Sequence, residues 1–457
     1  MKHRLIESMY YLHVQPPGWN LYIGGGLKLF PSSYSVAFHV VHLLLGLVTC
    51  WLAFYLMRTL GVSRWIALTL AGWFIVSPGV VLFENLLLYE YVVSFLLIAA
   101  AAVLWRYASG SSLPWICSFF IVLLALVLFR NFFHLIYVVA ILAALMCFFK
   151  GHRKSVLLAA ALPLLIVLGL YTKNWILFGA FSGSTWLGMN MDTITAHELT
   201  GSEAHDFISR GVISPVALFD IGTPVQLYKP YIQTPERTGI PVLDECVTST
   251  GATNFNCLEF LQIQHIYTRD ALTLLRTYPV VYLRSAEAAW FTYFLPTGDF
   301  PSFDLNRPRI RAIDRCWNLI FFGQFEDAGD RKNLRRLRDR GASLSLVFHT
   351  GVFLIIGLPA LWIWGVVFLV RGICSGVLDR PSAILLGFLL FNIGYVTAVA
   401  NLLSSFENNR YRFPIDAFYV VLLGLALERL RRRYGTVTAC KGVVVTTLPL
   451  PSIRSTT

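Results

Sequence analysis

Long apolar runs alternate with short polar breaks over most of the chain. A bilayer core asks for about 20 apolar residues per helix. Nine segments qualify or nearly do: 34–57, 65–83, 88–105, 114–129, 135–149, 155–171, 345–370, 382–402 and 415–428. All nine are predicted as membrane helices. Only the stretch 172–343 breaks this rhythm at length. Within it, "GTP" and "PTGDFPSF" read as turns, and "CLEFLQIQHIYTRDALTLLRTYP" repeats apolar residues at helical spacing until Pro279 stops it. Before the first span stands "SMYYLHVQPPGWNLYIGGGLKLF", residues 8–30. It is too interrupted for a membrane helix and too apolar for a free tail, so an interfacial helix is expected there.

The expected fold class is an all-α polytopic membrane protein of about nine transmembrane helices with one mixed α extracytoplasmic domain. Its divisions are 1–33 as part of an outer loop, 34–171 with six helices and 172–343 as the water-facing domain. A helix trio at 344–430 and a basic, disordered tail at 431–457 complete it. No internal repeat is visible.

Composition agrees with this reading. Of 457 residues, 56% are hydrophobic and only 14% charged, too few charges to cover a water-facing globule. The net charge of +12 does not point to nucleic acid, because many arginines and lysines sit in short loops at helix ends. Those loops are 58–64, 106–113, 150–154 and 371–381, with the tail from Glu428. The positive-inside rule places them in the cytoplasm, and the N-terminal stretch, 84–90, 130–134, 172–343 and 403–414 on the other side. A multi-pass protein of the inner or plasma membrane is expected. The Arg-rich run 307–340 opposes that orientation, but long domains cross largely regardless of charge. No signal-peptide core is visible near the start. Cys246 and Cys257 lie close together in the outer domain, where a disulfide is permitted, leaving Cys316 over.

Four polar clusters at outer helix ends carry candidate chemistry, because charge near hydrocarbon is costly. In "FENLLLYEY", Glu84 and Glu90 read either as a general base, cation ligand or sugar contact, or as loop carboxylates paired with arginines. In "LFRNFFHLIY", Arg130 and His134 would share a face at helical spacing. Arg130 reads as a phosphate contact or an interfacial anchor, and His134 as a partner to it or a satisfied histidine. Lys173, beside Asn174 where the sixth span exits, reads as a phosphate binder or an interfacial anchor. In "FENNRYRFPID", Arg410 and Arg412 read as contacts for a phosphate or pyrophosphate, or as internal partners of Glu407 and Asp416. There is no Walker or dinucleotide fingerprint and no HExxH spacing.

The order of "YLHVQPP", "FENLLLYEY", "LFRNFFHL", "KNWILFGAFSGSTWLGMN" and "ENNRYRFPID" resembles bacterial GT-C superfamily glycosyltransferases. The nearest branch is that of the protein mannosyltransferases and lipid A aminoarabinose transferases, RgtA/B/C/D-like or family 39-like. The resemblance covers residues 8 to about 430, through loose motifs in the same order. It implies a GT-C-like fold and an inverting transfer of sugar from a polyprenyl-phosphate donor to a glycan, lipid or protein on the outer face. It also implies a carboxylate base and, in some members, a divalent cation such as Mg or Mn. By position, His13, Gln15, Pro16 and Pro17 match a cavity-floor element and Glu84 a second acidic position. Lys173, Arg410 and Arg412 match phosphate-handling basic residues. The family's first helix, and the acid that follows it, have no match here except Glu7, so a truncated start is expected. Two other classes compete: a transporter or flippase of lipid-linked sugars, and a non-catalytic family member. Transporters usually repeat interrupted helices in paired halves, and this layout is lopsided.

Overall fold

The computed structural model describes residues 4–322, 352–405 and 407–441. Helices and turns make up these residues, and the only β pairing among them is an isolated bridge between Val247 and Thr253. Among the described residues the predicted spans fall on helices, with 65–83 broken into two. Five are long and apolar enough to cross a membrane: Tyr34–Thr59, Tyr89–Gly110, Arg153–Phe178, Val352–Cys374 and Arg380–Leu403. A sixth results if Arg64–Ile75 and Pro78–Glu84, bent by 53°, count as one. The bend has a local cause. Pro78 disfavours helical backbone at Ser77, which is extended and caps the second piece by accepting from Val80 N.

Leu113–Phe129 and Leu135–Phe148 have 17 and 14 residues. At 1.5 Å per residue they reach about 25 and 21 Å, short of a hydrocarbon core. Asn408–Lys441 is the longest helix and runs past the predicted boundary at 430, so the expected disorder does not begin there. Residues 442–457 lie outside the described residues, as do 345–351 of the seventh predicted span and 323–340 of the Arg-rich run.

Helix 89–110 is the hub, packed against 34–59, 113–129, 380–403 and 408–441. One large apolar core joins these helices, whereas 189–281 contains two small cores of its own. Outward, helix 153–178 presents Leu158, Leu162 and Leu165, each about two-thirds exposed, a face that suits lipid rather than water. In the 179–322 region, Leu258–Thr277 matches the predicted helix. Pro279 then opens Pro279–Tyr293, which packs on helices 380–403 and 408–441. Cys246 and Cys257 form a disulfide, and Cys316 is free.

The stretch at 8–30 has its partners within the chain. Gly18–Leu29 forms the expected helix, and Gly18 lies so close to the Leu128 carbonyl that a Cβ would collide with backbone. Asn256 Oδ1 accepts from His13 N at 2.8 Å, and its Nδ2 donates to the Tyr11 carbonyl at 3.0 Å. Lys173 Nζ donates to the carbonyls of Tyr10 and Leu12 at 2.9 and 2.7 Å. The segment is therefore strapped between the end of helix 153–178 and the disulfide loop.

Candidate functional site

Three helix ends meet at one place. Tyr89 and Glu90 start helix 89–110, Arg130 caps the end of 113–129, and Arg410 lies in the first turn of 408–441. Glu90 is 1% exposed, and its Oε1 accepts from Arg130 Nη1 at 2.9 Å. Arg410 Nε lies 2.8 Å from the same oxygen, at ion-pair distance without an aligned hydrogen bond. Arg410 also meets Glu407 at 2.6 Å and donates to the Tyr89 hydroxyl at 3.0 Å. The Arg130 guanidinium faces the rings of Tyr89, Phe132 and Tyr411 at 4.4 to 4.9 Å. A carboxylate at a helix start also complements the helix dipole. The result is a charge network of two cations and two anions, held by aromatic walls.

This network forms one wall of a cavity of about 1180 Å³ between the helix ends and the 179–322 region. Arg130, Arg410 and Glu407 line it, joined from the N-terminal stretch by Glu7, Gln15 and Asn20. From the far side come Trp186, Asn190, Thr193 and His197. Glu7 pairs with Arg4 at 3.3 Å, and Gln15 donates to Asn20 Oδ1 at 2.9 Å. The cavity carries both charge signs, so it is suited to a ligand with an anionic part and hydroxyls rather than to a bare anion.

Several sequence candidates fall elsewhere. Glu84 is half-buried and accepts from the Tyr91 hydroxyl at 3.1 Å, while its carbonyl meets His42. It does not line the cavity. Glu90 is not in a loop mouth but behind the wall, sealed by the two arginines. Arg130 and His134 share no helical face, since one caps the end of a helix and the other the start of the next. His134 instead faces Tyr171. Lys173 lies within helix 153–178, a turn before its end, and serves the N-terminal strap. Arg412 is 3% exposed and spent on Asp416 at 3.0 Å and the Tyr293 carbonyl at 2.5 Å, the internal pairing that its sequence context allowed. His13 is fully buried beside Thr185 and Asn256, and burial holds its imidazole down to about 4.

The residues that sequence reasoning passed over are mostly uncharged. Tyr89, Tyr411 and Phe132 wall the network, each next to or two positions from a charged member. Aromatics beside Arg or Glu at helix ends were the available signal. For a cation, no group of three or more His, Cys, Asp or Glu side chains suited to a metal occurs among the described residues. No protein-family model matches the chain, and neither a curated protein nor a solved structure matches it.

Proposed function

We propose that this chain is an integral membrane glycosyltransferase that moves a sugar from a polyprenyl-phosphate-linked donor to an acceptor hydroxyl in the 1180 Å³ cavity. The observation that carries the reading is the convergence of Arg130 and Arg410 with the accessible carboxylates Glu407 and Glu7 on one cavity. The resemblance of the motif order to that of GT-C transferases supports it too. In this reading all nine apolar helices lie in the plasma or inner membrane, and the 172–343 domain lies outside the cytoplasm. The Cys246–Cys257 disulfide supports that side, because disulfides persist in oxidising compartments.

The chemistry follows from the charges. The donor phosphate meets the Arg130 and Arg410 guanidiniums and competes with Glu407 for the latter. Released, Glu407 takes the proton of the acceptor hydroxyl, with Glu7 as the other carboxylate on the cavity. The acceptor oxygen attacks the anomeric carbon from the face opposite the phosphate. The bond from that carbon to the phosphate oxygen breaks, and the arginines stabilise the charge gathering on the leaving group. Glu90 keeps both guanidiniums aimed and charged rather than touching the sugar.

The test uses membranes carrying the protein, a panel of polyprenyl-phosphate-linked sugars and an outer-face acceptor fraction. Transfer is expected, with at least a hundredfold loss in Arg130→Ala and Glu407→Gln. Glu84→Gln is expected to retain most activity. Full transfer in both the Arg130 and Glu407 variants would sink the site. Translocation of the intact lipid-linked sugar without transfer would favour a flippase.

A further inference from the structure

A second cavity, of about 1030 Å³, shares no lining residue with the first. It runs along the final helix, between the bent pair 64–75 and 78–84 and helix 352–374. Its wall helix extends from Arg412 to Arg433, a rise of about 31 Å, close to the thickness of a hydrocarbon core. Trp73, Leu361, Trp364 and Leu423 keep the middle apolar. Among the described residues, nothing lies within 4 Å of where a Cβ on Gly357 would be.

The two ends differ in charge. At one, Arg412 is matched by Asp416 at 3.0 Å. At the other, Arg429, Arg432 and Arg433 line the groove. The carboxylate of Glu428 is shared between Arg431 and Arg432, each at 2.7 Å. Arg429 stands 4.6 Å over the Phe368 ring, with no carboxylate at ion-pair distance among the described residues. The Arg429 charge at the mouth of an apolar groove of membrane length is complementary to an anionic amphiphile.

We infer that this groove binds an anionic phospholipid. Its phosphate lies at the end of the groove that Arg429, Arg432 and Arg433 line, against Arg429, and one acyl chain runs along Phe368, Trp364 and Leu423 toward Gly357. A zwitterionic lipid would bring an ammonium group to the same arginines and lose the complementarity. The site is independent of the transferase reading and would hold whatever the first cavity does.

The test titrates the detergent-purified full chain with phosphatidylglycerol or phosphatidylcholine and counts bound lipid by native mass spectrometry. One phosphatidylglycerol is expected to be retained, at about tenfold higher affinity than phosphatidylcholine. Arg429→Gln is expected to lower that affinity about tenfold, and Arg429→Lys to restore most of it. Gly357→Leu, which fills the apolar channel, is expected to weaken both lipids. Equal retention of the two lipids, or unchanged phosphatidylglycerol binding in Arg429→Gln or in Gly357→Leu, overturns the inference. Should Arg429→Gln fail to fold, Gly357→Leu alone decides, under the same criterion.

Discussion

Glu90 in the membrane part and Asp192 in the 179–322 region are equally buried, at 1% and 0% exposure. Their surroundings are opposite. Glu90 sits between two guanidiniums. Among the described residues, neither side-chain oxygen of Asp192 has a hydrogen-bond partner, nor does either amide atom of Gln264 on the neighbouring helix. Burial, aided by the negative charge of Asp270, pushes the Asp192 carboxyl well above the usual carboxylate range. Burial alone therefore says little about a carboxylate. Its partners decide whether it joins a charge network or stands without a counter-charge in a core.

The largest effect is expected at the network. Glu90→Gln leaves Arg130 and Arg410 packed together without their shared anion and should cost about 3–5 kcal/mol. Thermal melting of the purified protein measures this. A change below about 1 kcal/mol would mean that the pair is far better solvated than its burial implies.

His13 extends the comparison to a buried base. Its folded value of about 4 lies below the ordinary 6.5, so between those values the unfolded chain takes a proton that the folded chain refuses. Stability should fall by about 3 kcal/mol as pH drops from 6.5 to 4, then level off. Melting curves across that window, compared with His13→Gln, isolate the contribution: the variant should show a flatter slope.

Asp192 is expected to move the other way. Its raised value means that stability present at low pH is lost as pH rises above 3.8 and through the folded value. Asp192→Asn should therefore raise stability at neutral pH by about 1–2 kcal/mol, read as a higher melting temperature. A destabilised variant would show that the acid has a partner in solution, such as a buried water.

The smallest effect concerns a satisfied, partly exposed carboxylate. Glu203 completes a capping box with Thr200 and meets Arg284 at 2.9 Å. Its bond with Arg284 is the main cause holding it down to about 2. With solvent screening, Glu203→Gln should cost only about 0.5–1 kcal/mol at neutral pH. That cost should vanish as pH falls from 4.5 to 2, which paired pH titrations of variant and parent would reveal.

Helices were legible in the sequence because their causes are local. Apolar periodicity drew Leu258–Thr277, Pro279 marked its end, and apolar runs located the membrane helices. Lys173 and Asn174 concealed the last turn of helix 153–178, because both are polar. Only the fold supplies the Tyr10, Leu12 and Ser182 carbonyls to which Lys173 Nζ and Asn174 Nδ2 donate. The site was half legible. Glu90, Arg130 and Arg410 each stood out as charges at helix ends, but their pairing joins residues 40 and 320 positions apart, beyond any local pattern. The same distance hid the fact that Glu84 faces another way. Uncharged walls such as Tyr89 and Tyr411 gave little reason to be chosen alone.

The strap across His13 has a consequence for the order of assembly. The backbone amide of His13 is held by Asn256, made 243 residues later. At roughly 5–20 residues per second of synthesis, that is a wait on the order of ten to fifty seconds. Throughout it, the contacts with Leu128 and Lys173 can form, but the His13 amide lacks its Asn256 partner. One wall of the first cavity thus closes late in biogenesis, only when the loop beside Cys257 has arrived.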